Sequence, residues 1–88
     1  MKIKEGFVLE KVGSSYLAVA VGAAAKNFQG LIRTNETGAF MWNIVKDNDK
    51  TAEELVEALS IEYDAPRDVL LRDVLSFEKQ LREAGILE

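Results

Sequence analysis

Gly30-Leu31-Ile32-Arg33-Thr34-Asn35-Glu36-Thr37-Gly38-Ala39-Phe40-Met41-Trp42 is the stretch on which the fold turns, because the side-chain period changes within it. Gly30–Thr34 reads as a short strand carrying Leu31 and Ile32, and its shortness suits the edge of a sheet. Asn35 can cap a helix by accepting a hydrogen bond from a free backbone N–H of the first turn. The helix is expected to run to about Lys46. Phe40 and Ile44 share one face and Met41 and Val45 another, each pair being four residues apart. Trp42 lies on the far flank, where it is read as a core anchor over a partner contact. Asp47-Asn48-Asp49 ends the helix.

Upstream of this junction the chain reads as strands. Phe7–Val12 alternates Phe7, Leu9 and Lys11 against Val8, Glu10 and Val12. Gly13-Ser14-Ser15 suits a tight turn, and Tyr16–Val21 follows, so the two runs predict a β-hairpin. Gly22–Gln29 is a connector whose Ala23-Ala24-Ala25 could form a helical turn. Gly22 and Gly30 flank it as turn glycines and lack phosphate-loop spacing.

Downstream the chain reads as two more helices. Thr51 and Glu54 have the spacing of a capping box. Ala52, Leu55, Val56, Leu59 and Tyr63 form one helical stripe. Asp64-Ala65-Pro66 breaks and restarts the chain, with Asp64 or Ala65 preceding the helix and Pro66 in its first turn. The third helix is expected to run to about Ala84, where Gly85 suits a stop and Ile86-Leu87 can fold back on the core. Three strands followed by three helices predict an α+β fold, a winged-helix-like arrangement in which an antiparallel sheet is covered on one face. All 88 residues form one expected domain, without repeats, linkers or low-complexity segments.

The third helix carries more apolar surface than a core stripe needs. Advancing 100° per residue from Leu70, the residues Leu70, Val74, Phe77, Leu81 and Ala84 fall within roughly ±40°. Leu71 and Leu75 lie roughly 100–140° to one side, on a flank that begins with Arg67 and continues with Glu78 and Arg82. One reading is a wider core contact with a solvated charged margin. The other is a groove beside the sheet edge. An extended peptide could add there as a strand near Leu31–Thr34, with Arg67, Glu78 and Arg82 selecting charged peptide residues.

Composition excludes more than it assigns. The chain has no cysteine, which removes disulfides, thiol nucleophiles and Cys-based metal sites, and no histidine. With 48% hydrophobic and 30% charged residues, it is an ordinary globular composition. The net charge of −4 argues against a duplex-DNA binder, which needs clustered Lys and Arg. Glu53, Glu54 and Glu57 make an acidic face with no converging second carboxylate group, so solvation accounts for them. Tyr16–Ala25 is apolar but too short to span a bilayer as a helix. No signal-peptide pattern follows the basic start, so a cytoplasmic location is expected. An enzyme is not expected, nor are a metal, a cofactor or a membrane association.

The Gly30–Trp42 segment resembles the hallmark of PqqD-like proteins, in which a short strand runs into Asn-Glu, small residues and an aromatic–Trp helix. The opening strands, the Thr51–Tyr63 helix and the final helix ending in Gly85-Ile86-Leu87 follow the same order. One departure is Thr34, where the family usually has Leu, and it bears on packing at the strand–helix junction. The resemblance implies a non-catalytic module of three strands and three helices. Such a module binds the leader segment of a ribosomally made precursor peptide. It presents that leader to a modifying enzyme, often a radical S-adenosylmethionine protein. The leader would lie between the third strand and third helix, which here means Leu31, Ile32, Arg33 and Thr34 facing Leu71, Leu75, Glu78 and Arg82. Asn35 and Glu36 are capping and packing residues under this reading. The mechanism would be tethering, which raises the local concentration of the core peptide at the enzyme. A winged-helix DNA-binding regulator and a scaffold subunit that binds no free peptide are the alternatives. A hairpin with an exposed edge also leaves a strand-exchanged homodimer open.

Overall fold

β1 (Phe7–Val12) and β2 (Ser15–Ala20) form an antiparallel hairpin in a computed structural model that describes residues 1–26 and 32–88. Val12 pairs with Ser15, so Gly13-Ser14 is the whole loop. Gly13 takes a φ of +63°, which suits glycine at the first central position of a two-residue hairpin loop. β2 starts one residue earlier than the aromatic Tyr16 suggests, because the loop is that short. A 3-10 turn over Gly22–Lys26 fills the described part of the connector, as the alanine run allows.

β3 (Ile32–Thr34) pairs antiparallel with β2, giving the strand order β1-β2-β3 and leaving β3 at an edge. Gly30 and Leu31, expected to begin this strand, lie outside the described residues. The register places Leu9, Ala18 and Ile32 side by side. The pleat therefore puts them on one face of the sheet, and Ala18 and Ile32 are buried there. Arg33 and its neighbours Leu17 and Glu10 are on the opposite face.

α1 (Glu36–Val45) is capped by Asn35, whose side-chain oxygen accepts from the Gly38 N–H at 2.9 Å. Trp42 is only 2% exposed and belongs to the core with Met41 and Val45. α2 (Ala52–Glu62) opens with the full capping box. Glu54 N–H donates to Thr51 Oγ1 at 3.1 Å, and Thr51 N–H donates to Glu54 Oε1 at 3.0 Å. Leu55, Val56 and Leu59 are buried, and the Tyr63 ring meets Phe40 edge-on at 5.8 Å between centroids.

α3 (Arg67–Glu83) begins one residue later than a proline in its first turn would have it. Pro66 has a ψ of 145°, which keeps it outside the helix as the N-cap, and its carbonyl accepts from Val69 and Leu70 N–H at 3.1 Å. Neither Asp64 nor Ala65 is the cap. At the far end Gly85 takes a φ of +76°. Its N–H donates to Arg82 O, and Ile86 N–H donates to Leu81 O, which together make a Schellman stop. The stop buries Ile86 beside Leu81 and Leu87 near Ile3. Leu70, Val74, Phe77 and Leu81 are all core, as the helical spacing requires. The chain is thus an α+β domain of three antiparallel strands followed by three helices. Among the described residues no helix is long and apolar enough to cross a membrane.

Candidate functional site

The β3 edge faces α3 across a cleft of about 430 Å³. Arg33 and Thr34 line it from the strand, and Asp73, Ser76, Phe77 and Gln80 line it from the helix. Gln80 reaches across, its Nε2 donating to the Arg33 carbonyl at 3.3 Å. Because Val12 and Ser15 close the two-residue loop, Tyr16 and Ala18 bond Thr34 and Ile32, so the Arg33 carbonyl points away from β2. In a strand the N–H and C=O of one residue point to the same side, so Arg33 offers both groups to an incoming backbone. The Arg33 side chain itself is exposed, on the sheet face opposite Ile32. Ile32 is buried and its backbone groups turn toward Ala18 of β2, so it offers a partner neither side chain nor main chain.

A second depression of about 480 Å³ adjoins the first along α3. Leu71 and Leu75 form its apolar floor, 39% and 48% exposed, and Arg72 and Lys79 stand beside them. The two leucines therefore do not widen the core contact. Ser76 lines both depressions, so they adjoin at that residue.

The residues singled out from sequence separate into three groups. Ile32, Arg33 and Thr34 are together on the edge strand, while Leu31 lies outside the described residues. Leu71 and Leu75 are together on the outward face of α3, one flank away from β3. Arg67, Glu78 and Arg82 have internal partners: Arg67 donates to Glu57 on α2 at 2.6 Å, and Arg82 to Glu78 one turn away at 2.9 Å. Arg67 thus reaches α2, Glu78 and Arg82 pair within α3, and none of the three lines the cleft beside β3.

Asp73, Ser76 and Gln80 are the helix residues against β3, and sequence reasoning passed over them. They lie roughly 60–120° from Leu70 on the side opposite Leu71. Their common face was legible in the spacing 73, 76 and 80, but three polar residues on a helix look like a solvated surface. Among the described residues no three His, Cys, Asp or Glu side chains gather as metal ligands. The perturbed carboxylates are elsewhere. Hydrogen bonding to the N-terminal ammonium, and its charge, hold Asp49 below the usual carboxylate range, and the Thr51 N–H does the same to Glu54.

Comparison with known proteins fits this architecture. The family model described as Coenzyme PQQ synthesis protein D (PqqD) matches residues 16–87. The solved structure of TbiB1 in complex with the TbiA(beta) leader peptide superposes with a TM-score of 0.72 at 23% identity. That alignment covers 100% of this chain and 95% of the other. No curated protein sequence matches the chain.

Proposed function

We propose, on the premise that this chain belongs to the PqqD family, that it binds the leader segment of a ribosomally made precursor peptide and presents it to a modifying enzyme. The observation that carries the reading is the β3 edge, with the Arg33 carbonyl turned toward α3 and an apolar surface continuing beyond it. A leader adding as a fourth strand would run along Leu31, Ile32, Arg33 and Thr34 and bond the outward-facing N–H and C=O of Arg33. Main-chain hydrogen bonds would supply affinity, and side chains reaching α3 would supply specificity. Leu71 and Leu75 would take apolar leader residues. Arg67, Glu78 and Arg82 would act at the margin, after exchanging their internal partners.

The module would perform no chemistry. Its contribution is effective concentration, since a held leader keeps the core peptide near the enzyme that modifies it. That enzyme would be of the radical S-adenosylmethionine kind in many pathways of this family. The fold shared with TbiB1, which was solved with a leader peptide bound, supports the peptide partner. The negative net charge of −4 gives no support to duplex-DNA binding.

The test is an amide chemical-shift titration with a candidate leader peptide. Saturable shifts are expected along Leu31–Thr34 and on the α3 face from Arg67 to Arg82. Leu75→Asp should weaken binding by tenfold or more, about 1.4 kcal/mol, while leaving the circular dichroism spectrum unchanged. Shifts confined to the surface of α2 would move the site, and an unfolded Leu75→Asp would make Leu75 a core residue.

A further inference from the structure

The leader-binding reading leaves open what kind of segment α3 selects, and the distribution of ion pairs along the helix bears on it. Arg67 and Arg82 are each engaged by a carboxylate within this chain. Arg72 and Lys79 are exposed and, among the described residues, neither forms an ion pair. They stand beside the Leu71–Leu75 floor, one toward each end. Asp68 lines the same depression one turn before Arg72, and no ion pair joins the two. This is a local cationic, apolar surface on a chain whose net charge is −4.

We propose that the Leu71–Leu75 surface selects an extended peptide segment in which an apolar residue has an acidic residue two positions away on each side, with Arg72 and Lys79 as the selecting charges. The proposal rests on the peptide-binding reading above and names the chemistry of its partner. The spacing follows from helix and strand geometry. Arg72 and Lys79 are seven residues apart, about 10.5 Å along the axis, and Leu75 lies close to midway. In an extended segment, alternate side chains point the same way and repeat at about 6.6 Å, so three consecutive ones span about 13 Å. The central side chain then meets Leu75, and the outer two come within reach of the flexible Arg and Lys side chains. Burial of the apolar side chain on the leucines would supply most of the affinity. The exposed charge pairs would supply selection against basic segments, since like charges repel as strongly as opposite ones attract. Ser76, a small residue, stands where the β3 cleft and this surface meet.

The experiment is selection of a random twelve-residue peptide display library on the whole chain, repeated on Leu75→Asp and on Arg72→Glu/Lys79→Glu. Wild type should enrich acidic–x–apolar–x–acidic segments, Leu75→Asp should lose them, and the charge-reversed variant should enrich basic residues at the outer positions. The leading wild-type peptide should bind the charge-reversed variant about tenfold more weakly. Should that variant fold poorly by circular dichroism, Arg72→Gln/Lys79→Gln takes its place, with the acidic preference expected to vanish. Enriched peptides that need Leu75 but show no charge preference overturn this inference and leave peptide capture standing. A library yielding no binders, or binders indifferent to Leu75→Asp, overturns the peptide-binding reading at this surface and the inference with it.

Discussion

Thr34 and Gly38 meet where the edge strand turns into the first helix. A Cβ on Gly38 would fall inside contact with Thr34 Oγ1 and lie 3.0 Å from Thr34 Cβ. Gly38 also gives its N–H to the Asn35 cap, so the same residue closes the strand and starts the helix. Crowding of this kind typically costs 1–3 kcal/mol. Gly38→Ala is therefore expected to lower stability by about 2 kcal/mol in urea unfolding. Combining it with Thr34→Ala, which removes the oxygen in the way, should recover part of the loss. A Gly38→Ala protein as stable as wild type would show that the Thr34 side chain gives way at no cost. The residue types at this junction were readable in advance, whereas the contact between Thr34 and Gly38 was not, because it depends on how tightly α1 swings back over the strand.

The α2 start shows how far local chemistry goes at the level of an element. Thr51 and Glu54 satisfy each other's backbone N–H, and that reciprocity is visible in their spacing of three residues. Thr51→Ala should cost about 1 kcal/mol by thermal or urea unfolding. The hydrogen bond from Thr51 N–H depresses the Glu54 pKa in the folded chain, and the N-terminal ammonium depresses that of Asp49. A carboxylate whose folded pKa is lowered contributes stability above its unfolded pKa and loses it as pH falls through the folded value. Stability should thus decline from neutral pH into the acid carboxylate range, and Glu54→Gln should flatten part of that decline. An unchanged acid profile in Glu54→Gln would remove Glu54 as a contributor.

The β3–α3 pair is an element-scale device of another kind. Gln80 holds the Arg33 carbonyl, which covers a backbone acceptor that an open edge would otherwise present to any strand. A leader pairing with Arg33 must displace it. Gln80→Ala should accordingly tighten leader binding by roughly threefold, near the low end of what one hydrogen bond is worth net, as read by isothermal titration. Unchanged or weaker binding would mean that the leader leaves Arg33 alone or uses Gln80 as a contact.

Across the whole molecule, the helices bury one sheet face and α3 presents two distinct surfaces. Leu81 is 1% exposed and Leu75 is 48% exposed, although both are leucines of the same helix. Leu81→Ala should cost about 2–5 kcal/mol, and Leu75→Ala about 0.5 kcal/mol or less, measured side by side in urea. Comparable losses in the two variants would place Leu75 in the core and close the apolar surface to a partner. Six elements, their order and the core stripe of α3 could be assigned from the chain alone, since caps, turn glycines and side-chain period act over a few residues. Helical spacing set Leu71 and Leu75 to one side of the core stripe but left open whether they widen the core contact or line a groove, and their exposure in the fold decided it. Nor did the spacing say which flank of α3 meets β3. A helical wheel measures angles from the core face only, and the neighbour on each side is set by the path of the chain between the sheet and the last helix. That path brings Asp73, Ser76 and Gln80 to the strand edge, engages Arg67 with Glu57, and leaves Arg72 and Lys79 beside the exposed leucines.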